Sequence, residues 1–322
     1  MPNEFLSQKC TSQVSTPHAI ALAPYRDSLC IAWVDTTHDV NLAHSYDRGQ
    51  SFDPSSISTV QELSYSKPSL AVYHDQLYVA WTNNFGCICL MRSTDGGRTF
   101  DPSTKSTSEE STFSVVGKLA TNILLNEKTR YDGPSLAVYR DRLYVAWADA
   151  SHHPCLMFST DGGQSFDPTT KSVSKEVCLH LNMENASYNP GPTLTMYQDQ
   201  LSMIWVNTGG NINIMRSTDD GYSFNSETNV KLKEKSYESP AFITYQGRPL
   251  LAWTGVGMWN MINVLYATSG ELKDGAPLLK LTSKEKSPRS PALALAGDRL
   301  LIGWTAGLMS HLHLAQCQIP QR

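Results

Sequence analysis

The eight residues Ser159-Thr160-Asp161-Gly162-Gly163-Gln164-Ser165-Phe166 return with little change at 45–52, 93–100 and 217–224. Each copy reads Ser-x-Asp-x-Gly-x-(Ser/Thr)-Phe. A short Asp side chain accepts hydrogen bonds from the backbone N–H groups that follow it and closes a turn on itself. Gly two residues later admits a positive φ that other side chains resist. The Phe returns the chain to the layer beneath. One such turn constrains little, but four form an internal repeat, and a repeat outranks every other clue to architecture.

A longer unit surrounds each turn. Residues 68–81 read Pro-Ser-Leu-Ala-Val-Tyr-His-Asp-Gln-Leu-Tyr-Val-Ala-Trp, and residues 134–147 differ from them only at the two residues flanking the hairpin Asp. The same frame fits 192–205, 240–253 and 291–304, with Pro and Trp 13 apart each time. A sixth copy ends at Trp33, with Ile20 in place of Pro. Six of the seven tryptophans thus share one structural role. In each unit Pro opens a first strand, where its missing N–H does least harm. A Tyr-x-Asp hairpin leads to a second strand ending in Trp, a loop leads to a third, and the Asp turn leads to a fourth. Four short antiparallel strands repeated at about 50-residue intervals describe a propeller blade. The expected fold is all-β: one six-bladed β-propeller over residues 1–322, with blades near 17–64, 65–130, 131–188, 189–236, 237–286 and 287–317.

The spacing of the tryptophans, 48, 66, 58, 48 and 51, places insertions after Phe100 and Phe166. The first is expected as an exposed Ser/Thr/Glu-rich loop over 103–114, the second as a shorter loop around 171–177. The sixth unit stops after its third strand. Residues 4–10 precede the first unit and are expected to supply the missing strand, protecting an edge that would otherwise stay open. That pairing predicts Cys10 near Cys317, with a disulfide between them as one outcome.

Composition narrows the partners. With 322 residues, 17% charged and a net charge of −4, the chain has no basic stripe, and no nucleic-acid partner is expected. No apolar run approaches the ~18–20 residues that span a bilayer, so no membrane partner is expected. No targeting segment is visible at the N-terminus, which fits a cytoplasmic chain or a secreted one lacking its signal. The seven cysteines show no metal-type pairing; Cys87 and Cys89 fall on one strand face, a poor fit to zinc. They read as free thiols, and neither a metal nor a cofactor is expected.

Four Ser-x-Asp-x-Gly-x-(Ser/Thr)-Phe turns on six blades resemble the Asp-box, or BNR-repeat, propellers typified by sialidases. The resemblance covers nearly the whole chain. It implies the fold strongly and the activity weakly, because the same fold class carries lectins and other glycan-active proteins. It implies a site of three arginines holding a substrate carboxylate, a Tyr nucleophile assisted by Glu, and an Asp acid/base. The chain departs from this pattern. The position of the family's first arginine motif, Phe-Arg-Ile-Pro, reads Ser15-Thr16-Pro17-His18. Most arginines fall on the Asp-turn side, and only Arg130 and Arg289 fall in loops toward the opposite face.

That opposite face collects two loop sets. The segments before each first-strand Pro repeat a Tyr: Tyr65, Tyr131, Tyr188 and Tyr237. Four phenol rings around a channel mouth suit stacking on sugars; the same repetition equally suits packing between blades. The strand-two to strand-three loops vary, and Trp259 is the one Trp outside the frame. The candidate ligand-binding residues are Tyr65, Tyr131, Tyr188, Tyr237, Trp259, Asn260, Asp149 and Asp35. Asp35, His38, Asp39, His152 and His153 are a metal-like composition that short polar loops also produce. The candidate catalytic residues are Tyr131, Tyr188, Glu238, Asp132, Arg130 and Arg289, because glycoside hydrolysis needs two carboxyls or a Tyr/Glu pair within ~5–10 Å. The expected function is lectin-like glycan binding at the loop face. The alternatives are a sialidase-like exo-glycoside hydrolase with an altered site, and a protein-interaction scaffold.

Overall fold

The computed structural model describes residues 5–100, 102–107, 133–183, 186–257, 260–273, 275–307 and 310–320. Among these residues six four-stranded antiparallel sheets stand as the blades of a propeller. Blade 1 runs Ala21–Tyr25, Ser28–Val34, Asp39–Ser45 and Ser58–Leu63 from axis to rim. The inner strands of blades 2 to 6 are Ser69–Tyr73, Ser135–Tyr139, Thr193–Tyr197, Ala241–Tyr245 and Ala292–Ala296. Each inner strand neighbours the next around the axis, and the last returns to the first. Side chains tie some neighbours: the Leu136 N–H donates to Ser69 Oγ, 2.9 Å, and the Leu194 N–H to Ser135 Oγ, 3.0 Å.

The repeated turn folds alike in its four copies. In blade 1 the Ser45 hydroxyl donates to Asp47 Oδ1, 2.8 Å, and Ser45 Oγ accepts from the Gly49 N–H, 2.7 Å. Asp47 also accepts from the Ser51 N–H at 2.9 Å and the Ser51 hydroxyl at 2.6 Å. The Gly N–H bond to the Ser hydroxyl is 2.7 Å in the other three copies as well. Gly163 needs its lack of a side chain twice: its φ is +80°, and a Cβ would fall 2.6 Å from the Tyr78 hydroxyl. Burial alone would raise the Asp47 carboxyl, but the bonds from Ser51, Ser45 and Gln50 outweigh it and hold the pKa at about 2. Phe166 is buried, while Phe52, Phe100 and Phe224 are half-buried against the clusters between blades.

The hairpins between strands one and two make the second inter-blade bond. The hydroxyls of Tyr25, Tyr73 and Tyr139 donate to the carbonyls of Asp75, Asp141 and Asp199 in the next blade, at 3.1, 2.9 and 2.9 Å. Tyr197 donates to the Gly270 carbonyl. Trp81, Trp147, Trp205, Trp253 and Trp304 are almost fully enclosed between blades.

Leu6–Ser15 pairs antiparallel with His311–Cys317 as the outer strand of blade 6, a longer closing strand than the 4–10 expected. Bulges shift its register, so Cys10 lies opposite Leu314 and Cys317 opposite Leu6. The seven cysteines are free thiols, and burial pushes Cys317 up to about 12. The first unit's missing Pro is explained at this seam. Blade 6 carries Gly303 where the frame has Ala, and a Cβ there would fall 2.7 Å from Ile20 Cδ1. A larger residue on one side is matched by the smallest on the other.

The insertions differ from expectation. Residues 102–107 of the first form a 3-10 turn, Pro102–Thr104, and the short outer strand of blade 2, Ser106–Thr107; the rest of the expected loop lies outside the described residues. In the second, 172–173 is the outer strand of blade 3, and the added residues instead form a hairpin, Leu181–Met183 with Ala186–Tyr188.

Candidate functional site

The loop face is built on two repeated bonds. In blade 1, Asp35 Oδ1 accepts from the Thr37 N–H at 2.9 Å and the Asp39 N–H at 3.0 Å. Asn83, Asp149 and Asn207 do the same for their own strand-two to strand-three loops, with Asp149 accepting from the Ser151 and His153 N–H groups at 2.8 and 2.9 Å. Each is the second residue after a frame Trp. Side-chain variety hid this regularity in the sequence, and blades 5 and 6 lack it, with Gly255 and Ala306 at that place. Asp35 also accepts from the Asn41 amide, 2.8 Å. Burial opposes ionisation of Asp35, but the bonds from Thr37, Asp39 and Asn41 prevail and depress its pKa. Asp35 and Asp149, taken from the sequence as ligand-binding carboxylates, are therefore engaged in shaping their own loops.

The second bond joins each such loop to the turn entering the next blade. The carbonyls of His38, His152, Gly210, Asn260 and Ser310, all at positive φ, accept from the N–H groups of Ser64, Cys178, Ser236, Ser287 and Thr16. Asn260 is thus placed by its backbone. Ser64, Ser236, Ser287 and Thr16 are buried, and each accepts at its hydroxyl from the N–H two residues on. This short hydroxyl residue four before the first-strand Pro (Ile20 in blade 1) is a signal that the sequence reading passed over.

The geometry relocates the tyrosines. Tyr65 and Tyr237 stand against the strand-two to strand-three loop of the preceding blade. Tyr65 stacks on His38 with ring centroids 4.4 Å apart and is 44% exposed. Tyr237 packs partly buried beside Gly210. Tyr188 does not hold the equivalent place: it ends the inserted hairpin, and Cys178-Leu179 make the two backbone bonds that Ser64-Tyr65 make in blade 1. The likeness of Ser187-Tyr188-Asn189-Pro190 to an entry turn misled, because the hairpin rejoins the frame through the same kind of residues. Beside it His180 stacks on His152 at 4.2 Å and hydrogen-bonds Asn189. Arg130, Tyr131, Asp132 and Trp259 lie outside the described residues.

Nearer the axis the structure brings two sequence candidates together. Arg289 Nη1 lies 3.7 Å from Glu238 Oε1, and Arg289 Nε donates to the Pro17 carbonyl at 2.8 Å. The Ser290 hydroxyl reaches Glu238 Oε2 at 3.5 Å. One guanidinium therefore links the turns entering blades 5, 6 and 1. The other described arginines sit at hairpins, strand ends or Asp turns on the far side: Arg26 pairs with Asp75 at 2.5 Å and Arg140 with Asp220 at 2.8 Å, while Arg216 lies over Tyr197. Phe85, in the blade 2 loop, is 65% exposed and was not singled out from sequence. Among the described residues no group of three or more His, Cys, Asp or Glu is arranged to hold a metal ion. No described helix is long and apolar enough to cross a membrane.

No protein-family profile matches the sequence, and no curated protein is similar to it in sequence. Solved structures share the fold. A protein of unknown function from Dyadobacter fermentans superposes with a TM-score of 0.67 at 13% identity, covering 99% of both chains. The NanB sialidase of Streptococcus pneumoniae superposes at 0.63 and 9% identity, over 96% of this chain and 70% of that one. The lectin SapL1, solved with α-methyl fucoside, superposes at 0.59 and 10% identity, over 96% and 99%. At these identities the likeness is one of fold: a six-bladed propeller architecture found in sialidases and lectins alike.

Proposed function

We propose that the loop face binds a glycan without hydrolysing it. The observation that carries this reading is the exposed aromatic surface at the junction of blades 1 and 2. Tyr65 is held by its N–H on the Thr82 carbonyl, 3.0 Å, and its ring is backed by His38. Phe85 stands three residues beyond Thr82, on a loop clamped by Asn83. Rigid, exposed rings are what sugar faces stack on, since they present a large apolar surface at little conformational cost. The fold shared with a fucoside-binding lectin supports the reading by analogy. The test is retention on a glycan array. The Tyr65→Ala, Phe85→Ala double variant is expected to lose about tenfold or more in affinity at unchanged melting temperature. Unchanged retention, or no retention of the parent chain, overturns the reading.

The Glu238–Arg289 pair favours the second reading, an altered sialidase-like hydrolase, since it sets a carboxylate and a guanidinium together near the axis. Against it, Arg289 is the sole arginine on this face among the described residues. Turnover of a fluorogenic sialoside that Glu238→Gln abolishes would establish the hydrolase and displace the lectin-like reading.

A further inference from the structure

The seam between blades 6 and 1 is packed differently from the others. Between blades 1 and 2 a single cluster joins Val60, Trp81, Met91 and half-buried Phe100. At the seam the core splits into two small clusters, one around Ile20, Ile31 and Trp33, the other around Leu29, Leu301 and Leu314. Outside them lies a cleft of about 500 Å³ floored by Trp33, Ile31 and Leu312 and walled by Phe52, Ile57 and the closing strand. In blades 1 and 4 the outer-strand residue paired with Asn41 or Asn213 is followed by buried Val60 or Leu232. In blades 3, 5 and 6 the same place is held by Ser174, Ser283 and Ser12, and at the seam this small residue borders the open space.

We propose that this cleft is a binding site for an apolar, ring-bearing small molecule that carries no negative charge. Its volume falls within the range of small-ligand pockets. Its floor is aromatic and aliphatic. The polar groups on its walls are engaged by the chain itself: the Thr11 hydroxyl with His313 Nδ1 at 2.8 Å, Ser12 Oγ with the Val14 N–H at 3.1 Å, and the Ser51 hydroxyl with Asp47 at 2.6 Å. A hydroxyl-rich sugar finds few directional partners there, and an apolar ring needs none. Charge sets the remaining preference. The lining contains the Asp53 carboxylate and no Lys or Arg. Lys9, beside Cys10 in sequence, turns the other way, pairing with Glu285 at 2.9 Å and lying 5.3 Å from the Trp304 ring. This site is separate from the glycan surface proposed above and does not depend on it.

Cys10 gives a direct readout, because it lines the cleft and is the one cysteine of the seven that is not buried. The whole chain is titrated with neutral N-phenyl-1-naphthylamine, with anionic 1-anilinonaphthalene-8-sulfonate, and with α-methyl fucoside. The neutral probe is expected to saturate near one per chain and to slow maleimide labelling of Cys10 about tenfold, with the sulfonate at least about tenfold weaker. Ser12→Leu, which restores the filler that Leu232 supplies in blade 4, should cut probe affinity about tenfold or more without lowering the melting temperature. Ala43→Leu fills the cleft from the blade 1 side and serves if the first variant does not fold. The proposal is overturned if the neutral probe does not saturate, if neither filling variant weakens it, if the sulfonate binds as well, or if the fucoside displaces it.

Discussion

The junction of blades 1 and 2 and the seam of blades 6 and 1 are built from the same repeat and packed in opposite ways. At the first, Trp81 is enclosed, Val60 fills the outer layer, and the Tyr25 hydroxyl reaches the Asp75 carbonyl. At the second, Ser12 stands where blade 1 has Val60, and Ala296 stands where the frame has Tyr, so that bond to the next blade is missing. The seam also brings Gly303 against Ile20. A propeller closed by strands from distant parts of the chain is thus not uniform around its ring. Repetition sets the ordinary interface, and several departures from it fall where the circle is completed.

The largest expected difference between the two junctions lies in their tryptophans. Trp81→Ala should cost about 3–5 kcal/mol, because it empties an enclosed site. Trp33→Ala should cost roughly half as much, since its ring already borders open space. Urea unfolding of the two variants checks this, and equal losses would erase the distinction. A smaller effect concerns pH. The carboxyls of Asp47, Asp95, Asp161 and Asp219 are depressed in the folded turns, against about 3.9 in an unfolded chain. Their contribution is fully present above the unfolded value and is lost as pH falls through the folded one, about 2 for Asp47. Stability should therefore fall from near pH 4 toward pH 2. Asp161→Asn, within an ordinary interface, and Asp47→Asn, at the seam, should each shallow that fall by a similar step. If only one did, the four turns would not be equivalent. The smallest effect is a coupling. Gly303→Ala should destabilise, Ile20→Val should relieve it, and a double-mutant cycle should give about 0.5 kcal/mol or more between them. Strict additivity would mean the two residues do not compensate one another.

Much of the fold was legible because the chain states it many times. Six Trp-ending strand pairs and four Asp turns set blade number and strand order, and even the closing strand could be inferred from what blade 6 lacked. Register was not legible: bulges between Ser7 and Cys10 and between Thr11 and Ser15 set Cys10 opposite Leu314, away from Cys317. The candidate site was read less well, for one physical reason. Residues that organise a loop and residues that bind a ligand are the same types. Asp35 and Asp149 read as ligand carboxylates in the sequence, and the structure shows each accepting bonds within its own loop, from Thr37 and Asp39 and from Ser151 and His153. Glu238 and Arg289 lie far apart in sequence and meet only because successive blades bring their entry turns side by side.

The pairing of Leu6–Ser15 with His311–Cys317 has a temporal meaning as well as a spatial one. Strands that lie about 300 residues apart cannot meet until the third strand of blade 6 has left the ribosome, and such distant pairings form late. Five blades can assemble in order of synthesis while Leu6–Ser15 waits for a partner not yet made. A chain cut short before His311 would leave Leu6–Ser15 without its partner strand, an unsatisfied edge that marks the fold as unfinished.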